Sequence, residues 1–173
     1  MRADKSGARA AARELITQFA VKTPPVPVER MARAMKIRVQ YAPLDGDLSG
    51  MVAMQDDVPV IGINALHHPN RQRFTLAHEI GHLTLHRDLI EGSVHVDKQI
   101  LHRDIMTEAG TDWREIEANA FASELLMPES LLQAQPSAAG IAFEDDEVIT
   151  SLAAKFRVSE AAIRFRLFSP ARR

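Results

Sequence analysis

Residues 74–86 read FTLAHEIGHLTLH and hold three of the seven histidines in the chain, at positions 78, 82 and 86. The surrounding pattern predicts an amphipathic helix from near Asn70 to about His86. Residues four apart on such a helix differ by about 40° in direction and about 6 Å in height. The His78 and His82 imidazoles therefore converge on one ion at about 2.0–2.1 Å from each nitrogen. Glu79, beside His78, reaches a water at that ion without being a ligand. This is the H-E-x-x-H arrangement, in which a zinc ion lowers the pKa of water to about 7 and the glutamate takes the proton. His86 lies about 12 Å further along the helix than His78, too far to share the ion. The intervening Leu83, Thr84 and Leu85 include no glycine to turn the chain back. His86 is expected to be a structural neighbour of the site.

A catalytic zinc needs a third protein ligand and an open position. The stretch REIEANAFASELLMP (114–128) predicts a helix that offers Glu115, Glu117 and Glu124. Glu115 and Asn119 share a face, so one can bind metal while the other orients a histidine. Glu117 points about 200° away from Glu115, so only one of the two can face the ion. Glu115 is the preferred ligand and Glu117 the alternative, although Asp112 and Glu115 also fit a helix-capping pair. Glu124 reads as part of a solvated helix face.

The rest of the composition narrows the chemistry. With 173 residues, 46% of them hydrophobic, the chain can bury a substantial core, and residues 1–173 read as one domain. A formal charge of −2 gives no overall signal for nucleic acid or membrane. Without cysteine, any metal must be held by histidines and carboxylates. The N-terminal residues read as an amphipathic helix rather than a leader, and no apolar run approaches the roughly 20 residues of a membrane span. The expected location is the cytoplasm.

Along the chain, helices are expected at 8–21 and 28–36, separated by TPPVP (23–27). IRVQYA (37–42) alternates like a strand, and MVAMQ and VPVIGIN flank Asp56-Asp57 as an antiparallel hairpin. VPVIGIN (58–64), directly before the metal helix, is read as an edge strand able to pair with an extended substrate. Residues 88–110 read as a connection that covers the cleft, with a short strand near SVHVD. The fold class is α+β: a small antiparallel sheet packed on a helical layer that carries the H-E-x-x-H helix, with two C-terminal helices.

Two motifs in this order resemble a known family. R-x-R-F-T-x-A-H-E-x-G-H at 71–82, followed by E-x-x-A-N-x-F-A-x-x-L-L-M-P at 115–128, resembles the ImmA/IrrE family of zinc metallopeptidases. The resemblance covers about residues 10 to 168. It implies Zn2+ on His78 and His82, Glu79 as the catalytic glutamate, and a third ligand from the second motif. A likeness to the thermolysin arrangement, in which the ligand glutamate is followed four residues later by Asn or Asp, supports Glu115 with Asn119. The resemblance further implies cleavage of a regulatory protein, such as a helix-turn-helix transcriptional repressor. The alternative is a non-proteolytic regulatory module that keeps the fold.

Arg71 and Arg73 are expected to anchor the start of the metal helix. His67, His68, His95 and His102 read as loop residues, and one of them, or Tyr41, is available to stabilise an oxyanion. Residues 144–168 form a helix-turn-helix-like pair in a locally basic tail, where Lys155, Arg157, Arg164, Arg166, Arg172 and Arg173 face only Glu160. DNA contact is possible there, but Leu152, Phe156, Val158, Ile163 and Leu167 are spaced to bury one face. Packing or partner docking is the preferred reading.

Overall fold

The computed structural model describes residues 2–45, 48–90, 95–98, 113–135 and 145–168. The chain begins with α1 (Lys5–Gln18), whose Asp4 carboxylate accepts the Gly7 amide at 2.9 Å and caps it. Ala8, Ala12, Leu15 and Ile16 form the buried stripe of α1, at the spacing of one helical face. After a proline-rich bend comes α2 (Val28–Ala34), which leads into β1 (Arg38–Ala42). β2 (Leu48–Gln55) and β3 (Val58–Asn64) form a hairpin whose two turn residues, Asp56 and Asp57, both have positive φ. Two positive φ values in a two-residue turn match the right-handed twist of the strands it joins.

The metal helix is α3 (Pro69–Leu85), capped by His68, whose ring nitrogen accepts the Asn70 amide at 3.2 Å. A short α4 (Arg87–Ile90) and the four-residue β4 (His95–Lys98) follow. α5 (Trp113–Leu126), α6 (Glu129–Gln133), α7 (Asp146–Phe156) and α8 (Glu160–Phe168) complete the described chain. Among the described residues no helix is long and apolar enough to cross a membrane.

The class is α+β, with one sheet in the order β1-β3-β2-β4. Its pairs are antiparallel except for β1 and β3, which run parallel. That parallel pair corrects the reading of VPVIGIN as an edge. Val58–Asn64 is flanked on both sides, by β1 and by β2, and the edges of the sheet are β1 and β4. A hairpin reveals one neighbour of a strand, but the other, β1, is paired because the chain crosses from β1 to β2 and returns to place β3 between them, which local pattern does not encode.

α3 runs beneath the sheet with almost no solvated face: Leu76, Ala77, Ile80 and Leu83 are buried, as are Arg73, Thr75, His78, Glu79 and His82. Arg73 reaches Glu29 at 3.2 Å and donates to the Val26 carbonyl at 2.9 Å, tying α3 to the start of α2. Arg71 donates to Ser49 on β2 at 2.9 Å. Both arginines thus fix the helix start, as expected.

The C-terminal pair belongs to the same core. Ile149, Leu152, Phe156, Val158 and Ile163 are buried within one cluster that extends back to α1. Ser159 caps α8 by accepting the Ala162 amide at 3.1 Å, and Asn70 donates to the Val158 carbonyl at 3.0 Å, pinning the α7–α8 turn to α3. Burying each of those apolar side chains is worth about 1.5–3 kcal/mol. The pair is held by its apolar face. His102 and the capping candidate Asp112 lie outside the described residues, as does most of the connection 88–110.

Candidate metal centre and active site

The site is built where α3 and α5 approach closely. Gly81, between the two histidines, is what permits the approach: a Cβ there would meet Phe121 Cδ1 at 3.0 Å and Ala118 Cα at 3.3 Å. With the helices this near, the first turn of α5 lies over the middle of α3. Glu115 Oε2 stands 3.2 Å from His78 Nε2, and Glu115 Oε1 stands 3.2 Å from His82 Nε2. The two Nε2 atoms are 3.0 Å apart. His78, His82 and Glu115 bring their ligand atoms within 4.8 Å of one another.

These spacings fit a metal ion. Three donors about 2.0–2.1 Å from a tetrahedral zinc are separated by roughly 3.3 Å. The contacts at 3.0–3.2 Å are close to such ligand-to-ligand edges. Two imidazole nitrogens facing each other beside a carboxylate form a poor hydrogen-bonding set, because one proton cannot serve all three. A cation between them accepts one lone pair from each of the three groups. The donor set, two imidazoles and a carboxylate, is a zinc-binding arrangement.

The surroundings orient the donors. His78 Nδ1 lies 3.1 Å from Asn119 Oδ1. A proton on Nδ1, donated to that amide oxygen, leaves the Nε2 lone pair for metal. Glu79, on the same helix, is fully buried and lies close to β2 of the sheet. Gly50 on β2 makes room for it: a Cβ at Gly50 would lie 3.2 Å from Glu79 Oε1 and 2.4 Å from Thr75 Cγ2. No local signal marks Gly50 as part of the site, because its role is a long-range contact between strand and helix.

The other glutamates of α5 serve different ends. Glu117 accepts the Asp4 amide at 2.6 Å through Oε1, and its Oε2 lies 3.5 Å from His86 Nε2. It thus faces the start of α1 and His86, away from the metal cluster. His86 packs edge-on to Trp113, with ring centroids 5.1 Å apart. Glu124 corrects the solvated-face reading, being 1% exposed. It is bound by Arg166 of α8, lies 3.7 Å from Arg13 of α1, and accepts the Glu129 amide at 3.4 Å. Burial pushes the Arg166 guanidinium down from its ordinary value, and Glu124 opposes that shift. Arg164 in turn pairs with Asp146. The two arginines of α8 that suggested DNA contact are engaged within the fold.

Tyr41 is half exposed, and Glu29 and Arg73 are the charges that act on it. Burial is the main cause that raises its hydroxyl above the ordinary range, with Glu29 adding to the shift and Arg73 opposing it.

The peptidase family described as the IrrE N-terminal-like domain matches residues 32–168 of this chain. The chain belongs to that family. The match begins within α2 and runs to the last residue of α8, so the IrrE-like unit includes the C-terminal helical pair. Comparison with curated proteins finds no match. Among solved structures, a Mycobacterium tuberculosis transcriptional regulator is similar, with a TM-score of 0.59 and 18% identity. The similarity covers 93% of this chain and 46% of that one, so this chain spans less than half the length of that protein. At this identity the likeness concerns the fold. This chain therefore has an IrrE-family zinc-peptidase fold with an H-E-x-x-H helix and a third donor from α5.

Proposed function

We propose that the protein is a zinc-dependent endopeptidase in which His78, His82 and Glu115 hold the ion and Glu79 is the catalytic base. The observation that carries this reading is the convergence of three donor atoms within 4.8 Å, with a fully buried Glu79 on the same helix. Zinc held there supplies Lewis acidity, lowering the pKa of water toward about 7 and polarising a peptide carbonyl. Glu79 takes a proton from the attacking water as its oxygen bonds to the carbonyl carbon. It returns that proton to the departing amine as the C–N bond breaks. Asn119 keeps the His78 ring in the tautomer that binds metal. The missing side chain at Gly50 leaves room for the carboxylate beside β2.

The substrate we favour is a regulatory protein, such as a helix-turn-helix transcriptional repressor, cut in the cytoplasm. Support comes from the family match and from the regulatory name of the structurally similar protein. The competing reading is a non-proteolytic module that keeps the metal site. The test is Glu79→Gln, which is nearly isosteric but cannot accept the proton. Zinc-loaded Glu79→Gln is expected to keep its metal and fold while cleavage of a candidate repressor falls about 10³-fold, within the range for loss of general base catalysis. Product masses against time provide the measurement. Unchanged cleavage by a folded, metal-loaded variant would sink the assignment of Glu79.

A further inference from the structure

The outer edge of β2 is already filled where it passes the proposed catalytic glutamate. Gly50, the residue lying over Glu79, pairs with Asp97 of β4; its neighbours Met51 and Val52 pair with Val96 and His95. Strands in a sheet are about 5 Å apart. The β4 main chain is thus one strand spacing from the strand that touches Glu79. Beyond Gly50 the pairing is irregular, with Leu48 opposite Lys98.

An extended peptide presented to Glu79 needs a main-chain partner to hold its carbonyl in place. The sheet strand that touches Glu79 is β2. Its other edge is taken up by β3 along six paired residues from Gly50 to Gln55. One row of amide and carbonyl groups cannot serve two strands. β4 is only four residues long and runs antiparallel to β2, and among the described residues no further strand pairs with its far side. A peptide of four or more residues can replace its main-chain hydrogen bonds one for one.

We infer that β4 is an intramolecular stand-in for substrate, filling the edge of β2 over Glu79 and giving way when a longer extended peptide takes that edge. The inference rests on the zinc-peptidase reading. It makes access to the site an exchange between two strands, one tethered and one free. The tethered strand has the advantage of high effective concentration, so short peptides compete poorly.

The chain has no cysteine, which permits a direct test. Met51 and Val96 are opposite one another. Met51 follows Gly50, so its side chain lies on the face of β2 away from Glu79. In the Met51→Cys, Val96→Cys double variant a disulfide would fix β4 to β2. Two zinc-directed probes are titrated calorimetrically into the oxidised and reduced zinc-loaded protein: a tetrapeptide hydroxamate, and acetohydroxamate, which needs no strand edge. Expected is at least ten-fold weaker binding of the tetrapeptide probe to the oxidised form, with equal binding of acetohydroxamate. Equal tetrapeptide binding to both forms overturns the inference alone. Failure of acetohydroxamate to bind either form overturns the zinc-peptidase reading and the inference with it. Val96→Pro provides a second route that does not depend on the disulfide, since proline disfavours a strand at that position. It is expected to tighten tetrapeptide binding three- to ten-fold over the unaltered chain, and unchanged or weaker binding counts against the inference.

Discussion

The two ends of α5 present the same residue type to opposite company. At the first turn, Glu115 faces His78 and His82, each 3.2 Å away. At the last turn, Glu124 faces Arg166 and Arg13. Arginine is always charged, so the Glu124 carboxylate has its counter-charge within the chain. A neutral imidazole brings a lone pair and no charge, so the Glu115 cluster offers a set of donors suited to a metal ion. A buried carboxylate among arginines fastens helices; one among histidines is a place for a metal.

That contrast can be broken in order of expected effect. Glu115→Ala removes a direct bond and should weaken zinc binding more than 100-fold, above the loss typical of an orienting neighbour. Equilibrium zinc titration reads it, and affinity within ten-fold of the unaltered chain would remove Glu115 from the ligand set. Glu124→Ala should act on stability instead. It leaves Arg166 buried without its partner, at a cost of about 3–5 kcal/mol, while one zinc per chain still binds. Urea unfolding of the metal-free and zinc-loaded proteins separates the two effects. A Glu124 variant as stable as the parent would return that residue to the solvated class.

Smaller effects sharpen the comparison. Asn119→Ala keeps all three donors but loses the partner of His78 Nδ1. Zinc affinity should fall about 10–100-fold, and no loss would show that the ring is oriented by other contacts. Glu117→Ala should leave zinc affinity unchanged and lower stability by about 1.5–3 kcal/mol, the scale of a hydrogen bond to a charged group. Loss of zinc in Glu117→Ala, with Glu115→Ala unaffected, would exchange their roles.

How much of this was legible in the sequence depends on how far apart the partners are. His78, Glu79 and His82 come from one helix, where spacing alone sets direction. The phase of α5 separated Glu115 and Asn119 from Glu117 for the same reason. Glu124 was misread because its partners lie on α1 and α8, and periodicity says nothing about which remote helix covers a face. The edge reading of β3 failed likewise, since its second neighbour, β1, arrives through a crossover. Gly50 carried no signal at all: only the closure of sheet on helix shows that a methyl there has nowhere to go. Short-range chemistry was readable, and long-range burial was not.

Gly81 has one more consequence. The separation of the histidines from Glu115 is set by two backbones meeting where a hydrogen stands in place of a methyl, against Phe121 and Ala118. Moving the two backbones apart would disturb buried residues packed at the density of a crystal. The distance over which Glu115 must reach to meet the histidines is thus set in part by apolar packing at Phe121 and Ala118.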